Sequence, residues 1–409
     1  MKNDNTILIF GAGKIGRSFI GQLFSAGGYE VVFADISIPV INEINRRRKY
    51  EVVIKSIQSE DKTILVENVR AVNARDIQQV KYEFCHADIL AVSVGQNALP
   101  GIFPLIAEGL NERYKNNKSS SIDIIIAENM LNASAHFKAQ LQKYLPGDFP
   151  IEKFVGLVET SIGKMVPIVP KKIEEENILR VFAEPFNTLI LDKKAFKNPI
   201  PAIKDLAPKE NIKAWIDRKL FIHNLGHAAT AYWGYFYNPD FQYIWQALEI
   251  PLIYKTVKTT MLEAVNLLAK KYPEEFTLPE LTIHVDDLLI RFQNKSLGDT
   301  IYRVGCDLLR KLGPHDRLSG AIRLAVSLNL PYENILSTLL IGCRFRAKDE
   351  KGQMHPSDIK FLEIFSNGIN DVLKNICGFD EINFQQILQE GQQIEKDFVI
   401  LSLIQSTNK

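Results

Sequence analysis

Residues 6–35, TILIFGAGKIGRSFIGQLFSAGGYEVVFAD, constrain the fold of this chain more than any other stretch. Thr6–Phe10 is an apolar run of strand length that leads straight into Gly11, Gly13 and Gly16. Ile15–Ala26 follows with helical spacing, and Glu30–Ala34 reads as a second strand ending on Asp35. In this succession the first glycine permits a tight turn, the second lets an anion approach the backbone, and the third allows close packing of helix on strand. The N–H groups that open a helix have no partner within it, so they are ready to hold a phosphate.

The rest of the first half repeats the theme. A second helix is expected at Val40–Arg48 and further strands at Glu51–Ile57, Thr63–Val66, Ile89–Val94, Ile122–Ala127 and Val181–Ile190. Near-continuous apolar strands separated by helices predict a mainly parallel sheet covered on both faces. Beyond Asp192 long amphipathic patterns take over, at Ile216–Tyr235, Ile253–Tyr272, Ser319–Asn329 and Ile359–Asn375, so the second half is predicted to be mostly helical. A chain of 409 residues suits two or three domains, and the Lys- and Pro-bearing stretch near 190 divides it into 1–190 and 191–409. With 49 Lys and Arg against 48 Asp and Glu, there is no broad basic surface for nucleic acid. No apolar run reaches the ~18 residues of a membrane span. Four scattered cysteines, Cys85, Cys306, Cys343 and Cys377, carry no metal-ligand spacing and read as thiols of a cytoplasmic protein.

Asp35 selects the nucleotide. It lies 19 residues after Gly16 at the end of VVFAD, where a carboxylate hydrogen-bonds an adenosine ribose and repels a 2′-phosphate, which favours NAD over NADP. The basic run Arg46–Lys49 lies a helix away and reads as a solvated helix end. Gly11, Gly13, Ile15, Gly16 and Asp35 are therefore the expected cofactor contacts, extended by two later strand ends: Ser93, Val94, Gly95 and Gln96, then Glu128 and Asn129.

The chemistry is expected in RKLFIHNLGHAATAYWGY. On a helical wheel Lys219, His227 and Asn224 fall at about 0°, 80° and 140°, with most of the bulky apolar residues opposite. Oxidation of a secondary alcohol needs a base for the hydroxyl proton while hydride leaves the carbon. A lysine serves if burial or a neighbouring positive charge lowers its pKa. Asn224 and His227 can then donate to the developing oxygen charge. His223, at about 40° on the wheel, competes with His227 for that role. The bland alternative for all of them is a snorkelling lysine above satisfied core polar groups. A non-catalytic NAD-binding protein would keep the glycine loop without these three side chains.

With FGAGKIGRSFIGQLF, VVFAD, IIIAENM, KLFIHNLGHAATAYWG and RVGCDLLRKLGPHDRL in this order, the chain resembles the polyol-specific long-chain dehydrogenases, the mannitol dehydrogenase family, over nearly its whole length. The resemblance implies an α/β protein with a Rossmann-type doubly wound N-terminal domain and a mainly α-helical C-terminal domain. It implies NAD as cofactor, Lys219 as general acid/base, Asn224 and His227 on the reacting oxygen, Asn129 at the site, no catalytic metal, and a monomer. The activity implied is interconversion of mannitol 1-phosphate and fructose 6-phosphate, or the same chemistry on an unphosphorylated polyol or a hexuronate such as fructuronate or tagaturonate. One departure bears on substrate: where the family commonly reads VDRIVP, this chain has Gly163 for the acidic residue and Lys164 for the arginine. Lysine keeps the charge but not the planar fork. Candidate substrate contacts are thus Asn129, Lys164, Arg310 and Arg317, with Lys311, Arg303 and Arg323 nearby in sequence. Their alternative is inter-helix pairing with Asp299, Asp307 and Asp316.

Overall fold

The computed structural model describes residues 5–57, 59–167, 169 and 171–407, with side chains described for all of these except 171 and 398–407. It divides into two compact units, Met1–Ile216 and Asp217–Lys409.

The first unit contains β1 (Thr6–Phe10), β2 (Glu30–Asp35), β3 (Lys49–Ile54), β4 (Lys62–Glu67), β5 (Val69–Asn73), β6 (Ile89–Val92), β7 (Ile122–Ile126), β8 (Val155–Ser161), β9 (Val181–Ala183), β10 (Leu189–Asp192) and β11 (Leu206–Lys209). Eight of them form one sheet in the order β11-β10-β8-β7-β6-β1-β2-β5. From β5 to β8 every pair is parallel. The chain winds outward in both directions from β1, so the strand order reverses between β1 and β6, where Phe10 pairs with Val92. In such sheets a ligand binds beyond the carboxyl ends of the strands at this reversal.

Alternation along the strands explains why they look apolar throughout. In β1, Ile7 and Ile9 enter one core, with Phe19, Ile20 and Phe24 of the glycine-loop helix and Tyr50 and Val52 of β3. Leu8 and Phe10 enter the other, with Phe84, Phe103, Ile106 and Phe137 from the helices Ile77–His86, Leu99–Asn116 and Ala133–Leu141. Each fully buried side chain of this size stabilises by about 1.5–3 kcal/mol, so neither face tolerates a polar substitution.

Two sequence expectations for the first unit change. The single strand expected at Val181–Ile190 is two: β9 joins β3 and β4 in a separate three-stranded sheet, and β10 returns to the main sheet antiparallel to β8. Pro185 between them lacks the N–H that a continuing strand would need. The division of the chain falls after Ile216 rather than at 190, because β10 and β11 carry the main sheet on to Lys209.

The second unit is helical, and all named strands among the described residues lie in the first. Its central helix, Pro251–Lys271, packs against Leu225–Tyr237, Leu278–Phe292, Ser319–Leu328 and Glu333–Gly342. Thr277 starts the second of these with a reciprocal cap, accepting from the Glu280 N–H while Glu280 accepts from its own N–H. The helix expected over 359–375 is interrupted: Pro356–Phe365 ends, Gly368 takes φ 104°, and a new helical stretch starts at Ile369. No helix among the described residues is long and apolar enough to cross a membrane.

Candidate active site

The glycine loop leaves β1 under close steric control. Gly11 has φ 100°, and a Cβ there would lie 2.6 Å from the Ser93 carbonyl oxygen. A Cβ on Gly16 would lie 2.1 Å from the Gly11 carbonyl oxygen, so this glycine is what lets the helix meet the loop. Gly13, by contrast, faces open space, with nothing within 4 Å of where a Cβ would be. The Asp35 carboxylate pulls the loop into place, accepting from Ala12 N at 2.7 Å and Ser37 N at 2.8 Å. An ionised carboxylate has about four lone-pair sites. Two remain for a diol, and Asp35 is only half-buried. These features fit a dinucleotide: an open backbone at the second glycine and an acceptor pair at the end of β2.

The basic run does not face Asp35 as a phosphate clamp. Arg46 and Arg47 pair with Glu43, Arg48 reaches Glu30, and Arg47 also donates to Asn177. Arg17, unremarked in the sequence, is buried on the glycine-loop helix and donates to the Ile178 carbonyl at 2.9 Å, while its own carbonyl accepts from Tyr50.

The two other strand ends meet each other. Gly95, with φ 85°, donates its N–H to Glu128 Oε1 at 2.9 Å, and Gln96 donates to the Asn129 carbonyl. Burial pushes the Glu128 carboxyl above its ordinary range, and the N–H groups of Gly95 and Val94 counter this. Ile15 and Val94 are half-buried against the two cores, and Asn129 is exposed. Lys164 is only 5% exposed. Its ammonium donates to Asn187 Oδ1 at 2.6 Å and Gln22 Oε1 at 3.3 Å and sits over the Phe19 ring. Burial lowers its pKa to about 8. Gly163 has room for a side chain, with Phe186 as the neighbour at 3.5 Å. Glu159, the nearest acidic residue in sequence, is engaged elsewhere, accepting from the N–H and hydroxyl of Ser134.

In the second unit the Lys–Asn–His stretch is not a uniform α-helix. Ile212–Arg218 is α-helical, Lys219–Asn224 is a π-helical turn, and Leu225–Tyr237 resumes the α-helix. Such turns insert a residue into the winding and are frequent at functional sites. Lys219 is half-buried. Burial, with the charge of Arg317 added, lowers its ammonium to about 8. Arg317 also donates to the Asn224 carbonyl at 3.3 Å, at the end of the turn. His227 stacks on Phe292, with ring centroids 4.8 Å apart, and turns Nε2 toward Asp299 Oδ2 at 3.3 Å. His223 is buried, edge-on to the same Phe292. Burial, and then Arg291, His227, Lys219 and His284, hold it well below the ordinary histidine range, so it is neutral.

The ion pairs of Arg303, Arg310 and Arg317 form within their own segment rather than between helices. Arg303 pairs with Asp299; Arg310 with Asp307 and at 3.5 Å with Asp316; Arg317 with Asp316 at 2.7 Å. Lys311 is buried and donates to the Val304 carbonyl at 2.6 Å, and burial lowers it to about 7. Arg323 donates to the Cys377 carbonyl. Of these, Arg310 is the most exposed. Among the described residues no three His, Cys, Asp or Glu side chains are grouped to hold a metal ion.

Sequence reasoning missed Asp299 as the neighbour of His227, and Gln22 and Asn187 as the partners of Lys164. The spacing Asp299–Arg303 marked an ion pair, but nothing local marked the histidine 72 residues earlier.

The chain belongs to the mannitol dehydrogenase family. The model of the mannitol dehydrogenase Rossmann domain matches residues 5–205 and that of the C-terminal domain residues 211–393. Within that family, a mannitol-1-phosphate 5-dehydrogenase of Streptococcus pneumoniae is 31% identical over 385 residues, covering 93% of this chain and 97% of its own. A second, from another strain of that species, is 31% identical over 376 residues, 91% of this chain and 96% of its own. Among solved structures, the mannitol 2-dehydrogenase of Pseudomonas fluorescens, a ternary complex with NAD and D-mannitol, superposes with a TM-score of 0.75 at 15% identity, covering 100% of this chain and 95% of that one. That likeness carries the fold: a parallel-sheet Rossmann domain followed by a helical one.

Proposed function

We propose that this chain is an NAD-dependent oxidoreductase that interconverts mannitol 1-phosphate and fructose 6-phosphate. The observation that carries the reading is Lys219, half-buried at the start of the π-helical turn, where burial and then the charge of Arg317 lower its ammonium to about 8. The names of the streptococcal relatives, which match nearly end to end, support the substrate.

The residues divide the work. Gly11, Gly13, Ile15 and Gly16 form the dinucleotide loop, Asp35 takes the ribose hydroxyls and disfavours a 2′-phosphate, and Val94, Gly95, Glu128 and Asn129 line the later strand ends. A bound nicotinamide supplies the hydride acceptor. The neutral Lys219 amine removes the hydroxyl proton as the alcohol is oxidised, and the ammonium returns it in the reverse direction. Asn224 and His227 hold the reacting oxygen from the same helical segment. Asn129 and Lys164 are the proposed substrate contacts of the first unit. Arg310, half exposed between two aspartates, and Arg317 are those of the second. The same reading makes the protein a cytoplasmic monomer, and light scattering on the eluting peak checks the oligomeric state.

A second reading, an unphosphorylated polyol or hexuronate as substrate, draws on Gly163 and on a lysine at 164 that is enclosed by two amides. One panel decides. NADH oxidation with fructose 6-phosphate is expected to exceed that with fructose, fructuronate or tagaturonate. Turnover of one of these without turnover of the phosphosugar overturns the substrate.

A further inference from the structure

His227 is held on several sides by its own unit. Its ring lies nearly flat on Phe292, with planes 18° from parallel. The ring of His223 lies 6.1 Å away. Nε2 lies 3.3 Å from Asp299 Oδ2, an oblique approach that is more an electrostatic contact than a linear hydrogen bond. Asp299 cannot turn away. Arg303 takes its other carboxylate oxygen, its carbonyl accepts from Ile244 N at 3.0 Å, and it is only 4% exposed. Burial raises its carboxyl, but His227 and Arg303 more than offset this and hold it below the ordinary range. The group is thus an anion that can only accept.

A neutral imidazole has one N–H and one lone pair, and the partner of one nitrogen decides which atom keeps the proton. A bare lone pair at Nε2 would face the anionic oxygen and be repelled; an N–H is attracted. We propose that Asp299 is a positioning residue that fixes His227 as the Nε2–H tautomer, so that Nδ1 offers its lone pair to a substrate hydroxyl. This rests on the polyol reaction proposed above and revises one part of it: His227 is no longer a donor to the reacting oxygen. His227 accepts a hydrogen bond from the polyol, and Asn224 is the neutral donor of this segment to the oxygen that becomes a carbonyl.

The test uses the full chain labelled with nitrogen-15 in histidine, without substrate, at an alkaline pH where histidine is neutral. Long-range proton–nitrogen correlation reads which ring nitrogen carries the proton, and H227A identifies the signals. Wild type is expected to show Nε2 protonated and Nδ1 bare. In D299N, Arg303 holds the amide oxygen, the amide N–H turns to His227, and the proton is expected to move to Nδ1. In D299E, which keeps the charge but not the shape, it is expected to stay on Nε2. Activity should follow charge rather than shape: kcat/KM falls about 10–100-fold in D299N and less in D299E. A wild-type His227 protonated on Nδ1, or a D299N protein with unchanged tautomer and turnover, overturns the proposal. If D299N does not fold, the wild-type and D299E spectra decide it. The spectra need no substrate, so a wrong substrate assignment leaves the tautomer result standing, and the converse holds.

Discussion

Lys219 titrates near 8 because two effects act against its charged form: lost hydration, which is the larger, and the guanidinium of Arg317. The sign of the pH dependence follows. Below about 8 the amine is protonated and cannot take a proton, so kcat/KM for polyol oxidation is expected to fall about tenfold per pH unit there and level off above. Ketone reduction needs the ammonium and is expected to decline above the same pH. Initial rates in both directions across pH check this, and profiles without that inflection would remove Lys219 from the proton transfer. Arg317→Gln should move the oxidation limb to higher pH. Lys219→Ala should leave NADH binding intact while turnover drops about 10²–10⁴-fold, the usual contribution of a general base. Asp35→Ala should weaken NADH about 10–100-fold, as loss of charged hydrogen bonds does, and narrow the preference over NADPH. Comparative binding by fluorescence measures it. At this scale the sequence was informative where residues are near neighbours in the chain. The proposed trio Lys219, Asn224 and His227 lies within one stretch, and the pairing of Arg303 with Asp299 and of Arg310 with Asp307 could be weighed from i,i+4 and i,i+3 spacing. Asp299 beside His227, and Gln22 and Asn187 around Lys164, are meetings of distant segments that no local pattern encodes.

At the level of elements, the glycine loop is set by contact distances. Gly16→Ala would press a methyl group against the Gly11 backbone oxygen, which cannot swing aside as a side chain could. The expected result is loss of NADH binding with most of the secondary structure retained, read by circular dichroism and cofactor titration together. Thr277→Ala removes the cap from Leu278–Phe292, the helix that carries Phe292 beneath His227, and should cost about 1 kcal/mol in denaturant unfolding. Strands were legible because alternate residues of β1 feed two different cores, leaving no polar position to confuse the pattern. The division of 181–190 into β9 and β10 was signalled by Pro185, but the choice of sheet for each depended on pairing with β3 and β8. The π turn had no sequence signal at all, since apolar periodicity over 216–235 suits an unbroken α-helix equally well.

For the whole molecule, the near balance of charge argues for a small ligand rather than a polyanionic partner, and the two family models cover 5–205 and 211–393. A nucleotide that binds the folded chain stabilises it by linkage, about 2.7 kcal/mol at a hundred times its Kd. NADH is therefore expected to raise the melting temperature of the wild type, NADPH at equal concentration to raise it less, and the Asp35→Ala protein to lose the difference. Equal shifts with the two nucleotides would remove Asp35 as the discriminator. The change of texture from strands to helices was visible in the sequence. The place of division was not, because β10 and β11 are completed by a sheet whose other strands come from far earlier in the chain.

The turn at Lys219–Asn224 has a consequence for engineering. An extra residue is wound into that one loop of backbone, so the helix before it and the helix after it are out of phase. Substitutions that drive the same residues, with none lost, into regular α-helical winding would close that bulge. The amine would then swing by about 100°, a quarter turn, relative to the amide and the imidazole that follow. Every functional group would survive, yet the arrangement proposed for them around the substrate would be lost.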